Sequence, residues 1–276
     1  MRIAHLSDLH FGRHDAKVAA SLAAEIAMQA PDLVVISGDF TQMGTPAEFA
    51  AARRFLDQLR APVFAVPGNH DVPQLDLARR FLDPYGLYRQ FIGPEVEPFV
   101  EIDGVALAGM KSVRRVRGGL DWAQGVISRR QIDVLGRRFD RASAGATRVI
   151  VVHHPLLMPQ RQMQKAQRRV DNADRALGAF AELGVRLVLS GHFHLSYVRR
   201  FEQPGTVREG APSGLREAAA APILVAQSSS TTSTRLRGEP NAYNVIDIVG
   251  DEIGIAVREW QGSGWQTRET DAEPLP

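Results

Sequence analysis

Short apolar runs alternate with segments of helical periodicity along the first two thirds of the chain. The run RIAHLSD is followed by residues 16–29, in which Val18, Leu22 and Ile26 recur every four positions. This spacing gives a helix one apolar stripe, and the next run, DLVVISGD, has the length and β-branched content of a buried strand. The pattern predicts an α/β fold in which helices cross over between strands.

Capping and turn signals predict further elements. Residues 45–48 (TPAE) and 128–131 (SRRQ) have the sequence of a capping box and predict helix starts. A proline-punctuated helical stretch is predicted to run to about Leu82, and PFVEIDGVALAGM is predicted to form a hairpin around Asp103 and Gly104.

From Tyr197 onward helical periodicity fades and β runs take over, namely YVRRFE, PILVAQ, AYNVIDIV and IGIAVREW. GTVREGAPSGLREAAAA and SSSTTST are predicted loops, and TDAEPLP is a predicted frayed tail. No fixed-period repeat or linker divides the chain. We predict a single domain over residues 1–276, with the chemistry in 1–200 and a β-rich completion and tail in 201–276.

Five of the predicted strands end in polar side chains that are costly to bury. The strands are AHLSDLH, VVISGDF, FAVPGNHD, VIVVHHP and LVLSGHFH, and the polar residues are Asp8, His10, Asp39, Asn69, His70, His153, His154, His192 and His194. Because the carboxyl ends of strands in an α/β sheet lie along one edge, we expect these side chains to converge.

Carboxylates, imidazoles and a carboxamide together suit two divalent cations that share a bridging carboxylate. In DLH and HFH the polar residues are two positions apart, which on an extended chain points them to the same side. Glycine precedes Asp39, Asn69 and His192 and leaves room near the metals. The chain has no cysteine, so oxygen and imidazole ligands must hold any metal.

The motifs DLH, GDF, GNHD, HH and GHFH resemble, in order, the five blocks of the calcineurin-like metallophosphoesterase superfamily, over residues 1 to about 200. The resemblance implies a four-layer αββα sandwich with a dinuclear Mn, Fe or Zn site. It implies seven metal ligands: Asp8, His10 and His194 for the first metal, Asn69, His153 and His192 for the second, and Asp39 for both. His70 would instead contact the phosphoryl group and the leaving oxygen.

Departures from the patterns of individual subfamilies narrow the range of possible substrate classes. Gln42 stands where purple acid phosphatases have a metal-binding tyrosine, and GDFTQMG lacks the Asp and Arg of protein phosphatases. SGDFTQMGTPAEF resembles class III cyclic nucleotide phosphodiesterases and glycerophosphodiesterases. We therefore predict a metal-dependent phosphodiesterase that cleaves small diesters of either type by in-line attack of a metal-bound hydroxide, with Asp39 and His70 as catalytic residues.

Three alternatives stay open: a nucleotide-lipid pyrophosphatase, a nuclease of the same superfamily, and a non-catalytic scaffold on this fold. Scaffolds typically lose ligands, whereas all seven are present here. The 33 Lys and Arg nearly balance the 31 Asp and Glu, which disfavours nucleic acid as a partner. A homo-oligomer is left open.

The chain starts without an apolar stretch long enough for a signal peptide and contains no 18-residue apolar run, so we predict a cytoplasmic protein without a membrane span. Two basic stretches, 113–119 and 161–169, are interpreted as solvated faces, and 161–169 alternatively as a rim that attracts phosphate.

Four other residues near the motifs have secondary roles. His5 is predicted to pack inside the first strand, and His14 either touches substrate or lies on the surface. His154 is not taken as a ligand. Asp71 is predicted to orient His70 or a neighbouring backbone group.

Overall fold

The computed structural model describes residues 1–113, 124–163, 167–203 and 221–268. Within them the strands are β1 (Arg2–Leu6), β2 (Leu33–Ile36), β3 (Val63–Ala65), β4 (Phe99–Ile102), β5 (Val105–Met110), β6 (Thr147–Val152), β7 (Val185–Ser190), β8 (Tyr197–Phe201), β9 (Ile223–Gln227), β10 (Ala242–Val249), β11 (Glu252–Trp260) and β12 (Trp265–Thr267). The helices are α1 (Ala16–Gln29), α2 (Pro46–Leu56), α3 (Leu77–Leu82), α4 (Gly86–Phe91), α5 (Arg129–Phe139) and α6 (Ala173–Glu182), with a 3₁₀ turn at Asn69–Asp71.

The strands form two mixed six-stranded sheets. The first has the order β12-β11-β10-β1-β2-β3, in which β1, β2 and β3 run parallel. The second has the order β4-β5-β6-β7-β9-β8, in which β5, β6, β7 and β9 run parallel. The parallel strands of each sheet therefore end along one edge, where ligands bind in open α/β sheets.

The two sheets pack face to face, and helices cover their outer faces. Ile3 of β1 packs in the core between the sheets, whereas its neighbour Ala4 packs outward with Val18, Leu22 and Ile26 of α1. Helices α5 and α6 cover the second sheet in the same way. Strands with both faces buried read as nearly continuous apolar runs. The four-layer αββα sandwich is confirmed.

Most local predictions are confirmed. Helix α1 spans the predicted residues, Thr45 and Ser128 each cap a helix through a capping box, and the hairpin turns at Asp103 (φ 48°) and Gly104 (φ 73°). The C-terminal β runs form β8 to β11.

The proline-punctuated stretch predicted to run to about Leu82 is helical only in its last part. After the 3₁₀ turn at Asn69–Asp71 the helix starts at Leu77, with Asp76 as its cap, and ends at Leu82 as predicted. Helix α4 and strand β12 were not predicted, because elements of six and three residues are too short to show a period.

The predicted loop at 205–221 lies outside the described residues except for Ala221, and the predicted tail at 270–276 lies outside them entirely. Most of the basic stretch 113–119 also lies outside them. None of the described helices combines the length and apolarity that crossing a bilayer requires.

Candidate metal centre

The polar residues predicted to converge do meet at the carboxyl edge of the two sheets. Each follows a strand end by one to four residues or sits in the 3₁₀ turn after β3. The histidine and aspartate members form overlapping groups whose donor atoms lie within 4.8 Å of one another. These groups contain Asp8, His10, Asp39, His70, His153, His154, His192 and His194, and Asn69 lies in hydrogen-bonding range of two of them.

The extended backbone predicted for DLH and HFH is wrong, although the polar residues of these motifs do meet. Strand β1 ends at Leu6, and Asp8 (φ 52°) and His10 (φ 50°) both adopt the left-handed conformation rather than an extended one. His192 (φ 76°) and His194 (φ 56°) do the same beyond β7. Left-handed backbone at non-glycine residues costs energy and persists where the surrounding structure fixes it, commonly at functional sites.

Buried apolar residues fix these loops. The middle residues of DLH and HFH, Leu9 and Phe193, are both fully buried. A close approach also requires glycine at Gly38 (φ 100°), where a Cβ would come within 2.6 Å of the Gly68 nitrogen. The strand-end loops are therefore pressed together, which brings their polar side chains into one cluster.

Asp8, His10 and His194 form the first group of donors. The Nδ1 atom of His10 lies 3.2 Å from the Thr41 carbonyl oxygen, and that of His194 lies 3.0 Å from the Arg235 carbonyl oxygen. Each Nδ1 must carry the proton to donate to a carbonyl, which leaves each Nε2 bare. The two bare Nε2 atoms are only 3.3 Å apart, and His194 Nε2 is 3.1 Å from Asp8 Oδ1.

Such an arrangement of acceptors calls for a cation between them. Asp8 Oδ1 is buried and has no hydrogen-bond partner among the described residues. A metal bound at about 2.0–2.1 Å by tetrahedral or octahedral ligands separates neighbouring donor atoms by about 3–3.4 Å. The observed separations of 3.1 and 3.3 Å fit this value.

Asn69, His153 and His192 form the second group. Asn69 Oδ1 is 3.0 Å from His153 Nε2 and also 3.0 Å from His192 Nδ1. His153 Nδ1 lies 2.8 Å from the Ser37 carbonyl oxygen, which orients the ring so that Nε2 faces the cluster. A carbonyl behind a histidine ring is the usual outer partner of a metal-binding imidazole.

Asp39 lies between the two groups. Its Oδ2 atom is 3.6 Å from His10 Nε2 in the first group and 3.4 Å from His153 Nε2 in the second. Its Oδ1 atom accepts a hydrogen bond of 2.8 Å from the backbone N–H of His70. One carboxylate oxygen is thus available to both groups, as a bridging ligand requires.

Burial and nearby charges favour ionised carboxylates and neutral imidazoles at most positions of the cluster, which are the forms that bind metals. Burial opposes ionisation of the two carboxyls, but nearby imidazoles outweigh it and hold the pKa of Asp8 and of Asp39 well below the usual range. Burial lowers the pKa of His10 and of His192, so these rings stay neutral. Burial also opposes charge on His153, but Asp39 and Asp8 raise its pKa to about 9. A metal at the second group must therefore displace a proton.

His70 lies beside the cluster. Its ring centroid is 4.8 Å from that of His10, and its Nδ1 is 2.6 Å from the Gln42 carbonyl oxygen and 2.8 Å from Gln74 Nε2. With Nδ1 anchored, Nε2 is the ring nitrogen available to a bound molecule.

Asp71 ties two of the strand-end loops together. Its Oδ1 accepts from the backbone N–H of Thr41 (3.0 Å), and its Oδ2 accepts from that of Gly68 (2.8 Å). Burial and the charge of Asp39 raise its pKa to about 7. The prediction that Asp71 orients a neighbouring backbone group is confirmed.

The three histidines that were not predicted to be ligands or catalytic residues are His5, His154 and His14. His5 is fully buried in β1, with Nε2 3.0 Å from Ser37 Oγ, as predicted for a packed residue. His154 is also buried, and its Nδ1 is 2.6 Å from Ser112 Oγ. His14 is half-buried.

Sequence reasoning missed a hydroxyl-rich segment, residues 228–233 (SSSTTS), which it treated as an ordinary loop. The segment contains no strand, but it is almost wholly buried. Ser230 Oγ donates to the Asp8 carbonyl (2.8 Å), Thr232 Oγ1 to that of Leu9 (2.6 Å) and Ser229 Oγ to that of His194 (3.2 Å). The segment follows β9 directly, and β9 is one more strand that ends at the same edge of the sheet. This position was the signal from which its contact with the site could have been predicted.

The basic stretch 161–169 is only partly described, because residues 164–166 are not. Arg161 pairs with Glu239, and Arg169 pairs with Asp174 at 2.6 Å. Both guanidinium groups thus have carboxylate partners, which favours a structural role for them over phosphate capture.

Comparison with known proteins adds independent evidence. The sequence model of the family described as Calcineurin-like phosphoesterase matches residues 1–196. A probable cyclic nucleotide phosphodiesterase of Synechococcus sp. is 27% identical over 208 residues, which cover 72% of this chain and 75% of that protein. The glycerophosphodiester phosphodiesterase GpdQ of Enterobacter lignolyticus is 38% identical over 82 residues, 26% of this chain and 30% of that protein.

Among solved structures, a dimetal phosphatase from Danio rerio matches with a TM-score of 0.60 and 13% identity, covering 94% of this chain and 96% of that one. At this identity the likeness concerns the fold.

Proposed function

Since the chain belongs to the calcineurin-like phosphoesterase family, we propose that it is a dinuclear-metal phosphodiesterase that hydrolyses small phosphodiesters of the cyclic nucleotide or glycerophosphodiester type. The family membership makes it a phosphoester hydrolase. The number of metals, the roles of individual residues and the preference for diesters belong to the proposal.

The position of Asp39 Oδ2 carries the proposal of two metals. This one oxygen is 3.6 Å from a bare nitrogen of the first donor group and 3.4 Å from His153 Nε2 of the second. Asp8, His10 and His194 would hold one ion, Asn69, His153 and His192 the other, and Asp39 both. A scaffold on this fold has no need of these donors, so their presence supports catalysis.

Two divalent ions bound there would polarise the phosphoryl oxygens and lower the pKa of a water molecule. The chain's own residues orient the groups that would hold these ions. The carbonyls of Thr41, Ser37 and Arg235 fix the tautomers and orientations of His10, His153 and His194. The rings then need no reorganisation as charge develops on the phosphoryl group.

His70 would act on the substrate. Its Nδ1–H donates to the Gln42 carbonyl, so Nε2 is the nitrogen left for the substrate and, when it carries a proton, can donate that proton to the departing alkoxide. The backbone N–H of the same residue holds Asp39, so the leaving-group side and the metal bridge are positioned by one short turn.

The preference for diesters rests on the names of the similar proteins and on charge. A diester carries one negative charge at the phosphoryl group, and a monoester carries about two near neutral pH. Carbonyl and hydroxyl groups surround the candidate ligands. Among the described residues no Lys or Arg side chain is hydrogen-bonded to any of them. Such surroundings suit the smaller charge.

Turnover of bis(para-nitrophenyl) phosphate and para-nitrophenyl phosphate by the manganese-loaded protein tests the proposal. We expect a higher kcat/KM for the diester and loss of both activities in Asp39→Asn. Equal or greater kcat/KM for the monoester would overturn the diester assignment. Parallel assays with 3′,5′-cyclic nucleotides and glycerophosphodiesters then decide between the two substrate types.

A further inference from the structure

A cleft of about 290 Å³ opens beside the first donor group. Its lining includes three arginines, Arg13, Arg235 and Arg237, together with apolar side chains such as Leu236 and polar side chains such as Gln167 and Thr234. The volume lies near the lower end of the range for small-molecule sites. We refer to it as the arginine cleft.

The arginine cleft is joined to the metal centre through its backbone. The Arg235 carbonyl accepts the Nδ1 proton of His194 at 3.0 Å, and the N–H of Arg13 donates to the His10 carbonyl at 2.8 Å. Phe193, on the wall of the cleft, lies in sequence between two candidate ligands. The cleft therefore adjoins the loops that carry the first donor group.

The three guanidinium groups differ from the other arginines near the site. Arg161 and Arg268 both form ion pairs with carboxylates. Among the described residues, by contrast, Arg13, Arg235 and Arg237 make no ion pair with a carboxylate.

Arg237 is the most informative of the three. It is half-buried, and burial together with the charge of Arg235 lowers its pKa, although the charges of Asp8 and Asp39 act in the opposite direction. Holding two like charges together in a partly desolvated place is unfavourable, and an anion between them relieves it. Arginine also presents a planar fork that matches a phosphate group.

We propose that the arginine cleft binds a second phosphate group of the substrate, so that the preferred diesters are those whose organic part carries an additional phosphate monoester. This inference rests on the proposed function, because it names a feature of the substrate cleaved at the same site. The exposed apolar side chain of Leu236 would contact the organic part that links the two phosphates.

A larger cleft of about 480 Å³ between β5 and α5 does not compete for this role. Glu97 there accepts hydrogen bonds from Gln131 Nε2 (2.6 Å) and from the backbone N–H of Lys111 (3.2 Å). These polar groups already have partners within the chain, and Arg138 Nη1 donates to the Glu97 carbonyl (2.9 Å).

The test uses two substrates that differ by one phosphate: thymidine 5′-(para-nitrophenyl phosphate) and its 3′-phosphorylated counterpart. Both release para-nitrophenolate by cleavage of the same bond. For the manganese-loaded protein we expect kcat/KM to be on the order of tenfold or more higher for the 3′-phosphorylated substrate, the effect of one charge-assisted hydrogen-bonded pair. In Arg237→Gln the ratio of the two kcat/KM values should fall toward one.

Arg141→Gln is the matched control, because Arg141 is an exposed arginine that precedes the amino end of β6, at the opposite edge of the sheet. It should leave the ratio unchanged. Calorimetry with the metal-free protein gives a readout without turnover: thymidine 3′,5′-bisphosphate should bind more tightly than thymidine 5′-monophosphate, and Arg237→Gln should abolish the difference.

Equal kcat/KM for the two substrates in the wild-type protein, or an equal drop of the ratio in Arg237→Gln and Arg141→Gln, overturns the inference and leaves the proposed function standing. Absence of turnover of either substrate, with tighter binding of the bisphosphate retained, supports the cleft and counts against the proposed function.

Discussion

Replacing Ser230 with alanine tests whether the hydroxyl-rich segment holds the metal centre in place. Ser230 is 1% exposed, and its Oγ makes two hydrogen bonds. It donates to the Asp8 carbonyl at 2.8 Å and accepts from the N–H of Ser233 at 3.1 Å. Alanine fits the same space but leaves a buried carbonyl and a buried N–H unpaired.

Each unpaired buried group costs about 1–3 kcal/mol, so we expect the two groups left by Ser230→Ala to lower the free energy of unfolding by about 2–6 kcal/mol. For a chain of this size that corresponds to a fall in Tm of at least about 4 °C. Because the Asp8 backbone loses its support, metal affinity should also fall, by about 10–100-fold as for other outer partners of metal ligands.

Ser228→Ala provides the control in the same segment. Ser228 is equally buried, but its Oγ makes only longer contacts of 3.4 Å to the His5 carbonyl and 3.2 Å to the Ser229 carbonyl. We expect a loss below about 1 kcal/mol and nearly wild-type metal affinity.

Urea denaturation in the presence of a chelator measures the unfolding free energy, and titration against a competing metal indicator measures affinity. If Ser230→Ala matches Ser228→Ala in both, the segment does not position Asp8 and the reasoning is refuted.

Three further expectations concern the metals and the leaving group. Asp39→Asn should lower metal content at both sites, whereas Asp8→Asn should lower it at one, as elemental analysis after reconstitution can show; equal losses would contradict a bridging role. His70→Ala should keep both metals and lose about 10²-fold or more in kcat with alkoxide leaving groups, and less with para-nitrophenolate, because that group leaves without a proton; equal losses would exclude the acid role, and metal loss would make His70 a ligand. Because His153 has a pKa of about 9, metal binding near pH 7 should release a proton and weaken as pH falls, by up to tenfold per pH unit; a titration in weak buffer without proton release would contradict this.

The longer helices and strands followed from the sequence because the rules behind them are local, whereas the four layers were implied only by the family resemblance. The four-residue period of Val18, Leu22 and Ile26 and the capping signals at Thr45 and Ser128 depend on neighbours along the chain, and the structure has these elements where they were predicted. The convergence of the strand-end residues also followed, because parallel strands end at one edge.

The short elements and the backbone conformation of individual residues could not be predicted from the sequence. Helix α4 and the 3₁₀ turn at Asn69–Asp71 are too short to have a period. Asp and His adopt the left-handed conformation more readily than most residues. At Asp8 and His10, however, it depends on the packing of Leu9 and on contacts from distant parts of the chain, which the sequence does not show.

Tertiary structure alone decided which polar groups serve the site. Ser230 is 222 residues from Asp8 in the sequence, and nothing in SSSTTST distinguishes a solvated loop from a buried support for the metal centre. In the same way, the sequence does not distinguish Arg161 from Arg237, but folding places Arg161 against Glu239 and leaves Arg237 in a cleft beside the candidate metal centre. Period and capping act over a few residues, whereas the partner of a polar side chain is fixed only when distant segments pack together.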